Sequence, residues 1–293
     1  MSVAKTLLVI LLVGLISCVA GQSKLMLTTR QSPTAATSVD ISSTVGIAAI
    51  KGTTFSASRP TKILIHGYLD NYNAVWWQQM AAAFLQAEDL NVFRLDWAQS
   101  FAGGYQQASA NTVTVGAQVA NAIQYLSSAY GVPASNVYVI GHSLGAQLAG
   151  SVGEALKNRG VQLGRITGLD PAGPGFDGAA ASAKLEQTDA RFVDTIMTNA
   201  GGLGSAQAVG HLNFLPNGGR VQPGCSVLLP LCSHAKALTI VTDSITGQNQ
   251  ITATQCPEYA TFQQGRCNGQ ARAIVGYRTN LAAAGSSPLK FYS

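Results

Sequence analysis

Ser143 lies in Gly141-His142-Ser143-Leu144-Gly145, a G-x-S-x-G run. Five residues of such common types are a weak signal alone. Their context adds weight, because an apolar run precedes them and a helical pattern follows. That strand–turn–helix order is what a nucleophile elbow requires. Flanking glycines leave room for a sharp turn that pushes a hydroxyl outward, and the following helix aims its first amides at the same point. The plain alternative is a glycine-rich turn whose serine caps a helix. A serine nucleophile needs a base, and the base needs an orienter. The chain has four histidines, at 66, 142, 211 and 234. His142 lies inside the elbow and cannot easily turn back onto Ser143. His66 precedes the elbow, whereas in this arrangement the order runs serine, acid, histidine. His211 and His234 remain. His211 sits in a strand-like run, and His234 follows Cys232 in what reads as a loop entering a helix. Loops carry catalytic histidines more often than core strands do, which favours His234 without excluding His211. For the acid, Asp170 ends a strand-like run and is followed by Pro171. Asp177, Asp189 and Asp194 compete with it, and Asp194 reads as a solvated or capping residue. An oxyanion hole needs two backbone donors. Leu144, after the nucleophile, offers one, and Tyr68 of His66-Gly67-Tyr68 offers the other.

These residues must be held by a frame. Residues 61–65, 91–96, 136–140, 165–169 and 191–197 read as strands. Residues 76–87, 105–130 and 143–157 read as helices, the second ended by Gly131 and Pro133. A polar entry segment precedes the first strand. Alternating strands and helices imply an α/β fold, a mostly parallel sheet covered on both faces. In such sheets chemistry collects at the carboxyl ends of the strands, where Tyr68, Ser143 and Asp170 all fall.

Composition sets the class. The chain has 293 residues, of which 47% are hydrophobic and only 11% charged, enough for a large core and against disorder. Residues 1–21 read as a signal peptide: Lys5 opens it, an apolar run follows, and Cys18-Val19-Ala20 offers small residues for cleavage. The run is short for a membrane span, which takes roughly 20 apolar residues. No second such run follows, so no transmembrane segment is expected and the mature chain is expected to be secreted. Its removal takes Lys5 and no acid, so the net charge of +5 falls to +4. That weak basicity fits ordinary solubility, and nothing resembles a nucleic-acid patch. Cys18 leaves with the signal. Cys225, Cys232, Cys256 and Cys267 remain, an even number in an oxidising compartment, which reads as two disulfides with three possible pairings. Pairing neighbours would close two short loops. The spacings lack the CxxC pair of a zinc site.

With those residues placed, the chain resembles the catalytic domain of the pancreatic lipase family from about residue 24 onward. Ile65-His66-Gly67-Tyr68, Asp96-Trp97 and Val139-Ile140-Gly141-His142-Ser143-Leu144-Gly145-Ala146 carry the likeness. So do Gly164-Arg165-Ile166-Thr167-Gly168-Leu169-Asp170-Pro171-Ala172, the run from Gly210-His211-Leu212-Asn213-Phe214 through Gly219, and Cys232-Ser233-His234. The resemblance implies an α/β-hydrolase fold with the triad Ser143, Asp170 and His234, and it chooses His234 over His211. It also implies the neighbour pairings, Cys225 with Cys232 and Cys256 with Cys267. Larger members carry a further β-sandwich domain. Here the chain stops at Phe291-Tyr292-Ser293, so a single catalytic domain over residues 22–293 is expected. The family's disulfide-closed lid is reduced to Ser226, Val227, Leu228, Leu229, Pro230 and Leu231. These are too few for a covering helix but enough for an apolar rim. Residues 199–210, another substrate-facing loop, are trimmed and glycine-rich. Short versions of both loops resemble the phospholipase A1 members. The family's calcium loop matches in part: Glu186 and Asp189 keep acids, but Ala181 stands where an acid is expected. No calcium, other metal or cofactor is expected.

The expected function is therefore hydrolysis of a lipid ester at a membrane or micelle surface. The sn-1 ester of a phospholipid comes first and triacylglycerol second. A short lid predicts weak interfacial activation. A non-enzymatic lipid-binding or yolk-type role is the contrasting reading, which the assembled serine, acid and histidine oppose. A protease shares the triad but none of the surrounding runs.

Overall fold

The computed structural model describes residues 22–280 and 288–293, so the expected signal peptide, 1–21, lies outside the described residues. The apolar runs become strands β3 (Thr61–Ile65), β4 (Asn91–Asp96), β5 (Val137–His142), β6 (Leu163–Leu169) and β7 (Ala190–Ile196). With β8 (Leu212–Leu215) and β11 (Leu289–Tyr292) they form the parallel body of the sheet, in the order β11-β8-β7-β6-β5-β3-β4. Antiparallel pairs extend both edges. β1 (Lys24–Thr29) and β2 (Ser32–Asp40) lie beside β4, and β9 (Thr252–Gln255) and β10 (Arg272–Ile274) lie beside β11.

Helices cover both faces. α3 (Gly104–Tyr130) and α4 (Leu144–Lys157) pack together on one side, and α2 (Val75–Ala87) and α5 (Pro230–Thr246) pack together on the other. The strands alternate between them: Ile63 and Ile65 of β3 join the α3/α4 core, and Leu64 joins the α2/α5 core. Burial on both faces is why these strands read as continuous apolar runs. Two short helices, α1 (Thr44–Ala48) and α6 (Tyr259–Gln263), complete the set.

Two expectations are corrected here. The polar entry segment is structured as β1, β2 and α1. β2 is the edge strand, so most of it meets water and it carries no burial alternation, and Pro33 suits an edge. Asp194 is neither solvated nor a cap. It is fully buried in β7, where it accepts 2.7 Å and 3.0 Å bonds from Arg165 and 2.6 Å from Thr167 Oγ1. The β6–β7 register sets Thr167 opposite Asp194, so the two strands bring this pair together on one face.

The consequence for function is positional. β3 runs into His66, β5 into Ser143, β6 into Asp170 and β7 into Met197 and Thr198. All four exits share the carboxyl edge of the parallel body, where open α/β sheets bind ligands.

Candidate active site

The turn from β5 into α4 is built for close approach. A Cβ on Gly141 would lie 2.2 Å from the Gly145 carbonyl oxygen, and one on Gly145 would lie 2.4 Å from the carbonyl oxygens of Ile65 and His66. Only glycines let the turn pack that tightly against β3. Ser143 takes φ 56°, ψ −122°, a backbone state costing on the order of 1–3 kcal/mol and held by its surroundings. Those surroundings are specific: its amide donates to the Leu169 carbonyl (2.9 Å), and its own carbonyl accepts from Ala172 (3.1 Å). The elbow is thereby tied to the end of β6, the strand that delivers Asp170.

Asp170 is fully buried and also has positive φ, at 42°. One carboxylate oxygen accepts from the amides of Thr198 (2.7 Å) and Asn199 (2.9 Å) just beyond β7. The other lies 2.6 Å from His234 Nδ1. With Nδ1 donating to the carboxylate, Nε2 is the free ring nitrogen. The expected loop placement of His234 is corrected. It sits in the early turns of α5, 5% exposed, because Pro230 starts the helix. His142 steadies the same turn: its Nε2 donates to the His234 carbonyl (3.1 Å), and the two rings lie 4.6 Å apart. Burial and then the neighbouring His234 push the His142 imidazole down to about 3, so it stays neutral.

The competing residues are engaged elsewhere. His211 Nδ1 accepts from the Val193 amide (3.0 Å), and its ring stacks on Phe192. Asp177 accepts from Ser205, and Asp189 from the Glu186 amide (2.9 Å).

The loop after β3 carries Tyr68, expected as the second backbone donor. His66 Nδ1 donates to the Gly67 carbonyl (2.9 Å), turning that carbonyl toward the imidazole. In a planar trans peptide the amide points the opposite way, so the Tyr68 N–H faces away from His66. Among the described residues, neither the Tyr68 nor the Leu144 amide is taken up by a turn or loop bond. His66 is buried on Trp97 and Phe101, and Trp97 Nε1 donates to its carbonyl (3.0 Å). Burial lowers its basicity, which keeps the imidazole neutral.

Both disulfides take the neighbour pairing. Cys225–Cys232 and Cys256–Cys267 have Cα separations of 5.6 and 5.7 Å. The expected six-residue lid needs trimming. Pro230 and Leu231 belong to α5, leaving Ser226, Val227, Leu228 and Leu229 as the irregular part. Val227, Leu228, Leu229 and Leu231 are all more than 60% exposed, as an apolar rim would be.

The acids of the expected calcium loop do not fit a divalent ion as they stand. Glu186 and Asp189 meet Glu154 of α4, but the Lys157 ammonium lies among all three, and Ala181 offers no side-chain ligand.

Sequence reasoning missed the amides of Thr198 and Asn199 on Asp170, and the His142 link to His234. The first are backbone donors that any residue type could supply, so no side-chain pattern marks them. The second depends on α5 crossing the elbow, which spacing does not encode.

A family model described as Lipase matches residues 17–290. Pancreatic triacylglycerol lipase of Homo sapiens is 37% identical over 74% of this chain and 51% of that protein. Pancreatic lipase-related protein 2 of Cavia porcellus is 38% identical over 75% and 51%, and that of Mus musculus 34% over 84% and 54%. The chain thus spans about half the length of the curated relatives it matches. The match runs through the elbow, the Asp170 strand end and the His234 helix, and on that ground the chain belongs to the Lipase family, with the pancreatic lipases.

Proposed function

We propose that this chain hydrolyses carboxylic esters of lipids by serine acyl transfer. Ser143 Oγ attacks the ester carbonyl carbon while His234 Nε2 takes its proton. Asp170 fixes the tautomer and stabilises the imidazolium. The developing oxyanion accepts from the Tyr68 and Leu144 amides. His234 then protonates the leaving alcohol. Water, activated by the same imidazole, releases the fatty acid and restores Ser143. The observation that carries this reading is the 2.6 Å contact of His234 Nδ1 with an Asp170 carboxylate whose other oxygen is already held by two amides. A fluorophosphonate should label the protein at Ser143. Ser143→Ala should abolish the label and lower ester turnover by ~10⁴-fold or more. Folded wild-type protein that takes no label overturns the proposal.

Among lipid esters, the sn-1 ester of a phospholipid is the first choice. The short Cys225–Cys232 loop supports it by leaving room for a polar head group. Triacylglycerol is the second reading, favoured by a relative named a triacylglycerol lipase. Fatty-acid release from phosphatidylcholine and from triolein, measured side by side, separates them. Robust triolein cleavage without phospholipid cleavage reverses the order. Residues 1–21 are proposed as a cleaved signal peptide, with the two disulfides supporting an oxidising destination.

A further inference from the structure

Three carboxylates from separate elements meet behind the elbow. Glu154 comes from the last turn of α4. Glu186 and Asp189 cap and end a short 3-10 turn that enters β7. One oxygen of each lies within 4.8 Å of the others. Oxygens this near one another can reach a single hard cation, whose ligands lie about 2.3–2.6 Å from the ion. Burial pushes Asp189 up to about 8, so near pH 7 the charge to be balanced lies mainly on Glu154 and Glu186, and two glutamates drawn together need a cation.

The chain supplies one. Lys157 Nζ lies 2.5 Å from Glu154, 3.0 Å from Glu186 and 3.8 Å from Asp189, and it donates to Thr188 Oγ1 at 2.7 Å. The ammonium therefore has an oxygen from the helix and oxygens from the turn around it. Its lysine stem is fixed by the same helix that carries Glu154.

The place matters for the proposed site. Behind Asp170, residues 171–189 return along α4 before entering β7. Gln147 ties the front of this segment to α4, donating to the Ala172 carbonyl (2.7 Å) and accepting from the Leu185 amide (2.9 Å). At the back, the turn sits so close to α4 that a Cβ on Gly153 would lie 2.3 Å from the Asp189 carbonyl. Carboxylates forced together at that approach would part without a counter-charge.

We propose that Lys157 is a built-in substitute for a divalent cation at this point of the fold, and that its removal uncovers a divalent-cation site formed by Glu154, Glu186 and Asp189. The ligand class is a hard divalent ion with oxygen donors. The turn then docks on α4 without metal in the natural chain. The inference does not depend on the proposed ester chemistry, because its readout is stability and ion binding.

The test uses the full chain and Lys157→Met, which keeps the stem and removes the charge. Thermal unfolding midpoints are taken in EDTA and in millimolar calcium, and terbium luminescence reports ion binding. The wild-type midpoint should be the same in both buffers. Lys157→Met should lose on the order of 3–8 °C in EDTA and regain most of it in calcium. It should also bind terbium, and Glu186→Gln on that background should abolish the binding. Three results overturn the proposal: a wild-type midpoint that rises in calcium, a Lys157→Met midpoint in EDTA equal to wild type, or a loss that calcium does not repair. If Lys157→Met does not accumulate as folded protein, Lys157→Arg tests the same idea. It keeps the positive charge and should hold its midpoint without calcium, and a midpoint that becomes calcium-dependent overturns the proposal.

Discussion

His142 occupies the variable position of G-x-S-x-G, yet its contacts give it a part in the site. Its Nε2 donates to the carbonyl of His234, so it restrains the helix turn that holds the imidazole against Asp170. A small shift of that turn misdirects Nε2 of His234, and misplacement of about 1 Å can cost ~10²-fold in rate. His142→Phe keeps a flat ring but loses the donor. We expect it to lower kcat on a soluble short-chain ester by about 10-fold with KM little changed. Because burial pushes the imidazole down to about 3, His142 stays neutral at every working pH. The ratio of variant to wild-type activity should therefore be flat from about pH 5 to 9. A kcat within twofold of wild type, or a ratio that bends with pH, rejects this role. The contact also marks what was legible at this scale. Ser143 and Asp170 could be read because the chain around them signals strand ends. The loop argument favoured His234 over His211, and family resemblance made the choice. Their real difference, that His211 Nδ1 is consumed by the Val193 amide, is set by packing.

The central strands announced themselves because each is buried on both faces, so apolar residues run without a break. The edge strands β2 and β10 could not, since their burial is partial and their pairing comes from neighbours far along the chain. The start of α5 was readable in principle, because proline favours the first helical position, but the adjacent disulfide disguised it as loop. One strand position breaks the apolar rule. Lys62 of β3 faces the α2/α5 side, 8% exposed, with its ammonium 5.1 to 5.9 Å from the ring centres of Phe84, Tyr138 and Tyr277. Burial, with Arg165 adding to it against the pull of Glu88, lowers its pKa to about 8. The ring faces attract the ammonium and offset part of that cost. The sign follows from proton counts. Between about pH 8 and 10.5 the unfolded chain binds more protons at this lysine than the folded chain, so its contribution to stability rises with pH there. Below pH 8 the folded chain carries the buried charge at its full cost. Lys62→Met should therefore raise the unfolding free energy by ~1–2 kcal/mol at pH 7, and the gain should shrink toward pH 10. Urea titrations at both pH values check this. A destabilised variant at pH 7 would mean that the three rings more than repay the desolvation.

At the scale of the whole molecule, the parallel sheet gathers its chemistry on one edge, and exposed apolar residues collect there too. α2 follows directly on the loop after β3, and α5 begins inside the Cys225–Cys232 loop. Both helices thus start beside the candidate site. Leu69, Val75, Leu228 and Leu231 at these starts are all more than half exposed. Such side chains cost little in water one at a time, and two exposed apolar edges beside the candidate site offer a surface suited to lipid. Among the described residues no helix is long and apolar enough to cross a membrane. Two forces could then hold the protein on a bilayer, its net positive charge and the rim leucines. They separate by salt. Charge attraction is screened within about 8 Å at physiological ionic strength, whereas apolar insertion is not. Each leucine moved from water into acyl chains contributes up to ~1.5–3 kcal/mol. We therefore expect the protein to bind neutral phosphatidylcholine vesicles, and to keep binding in 0.5 M salt by the logic of screening. Leu228→Asn with Leu231→Asn should weaken vesicle partition by ~10- to 100-fold, if each leucine inserts only in part. Turnover of a soluble ester should fall far less. Sedimentation with vesicles at low and high salt gives the answer: binding that vanishes in salt but survives the double substitution would assign docking to charge rather than to the rim.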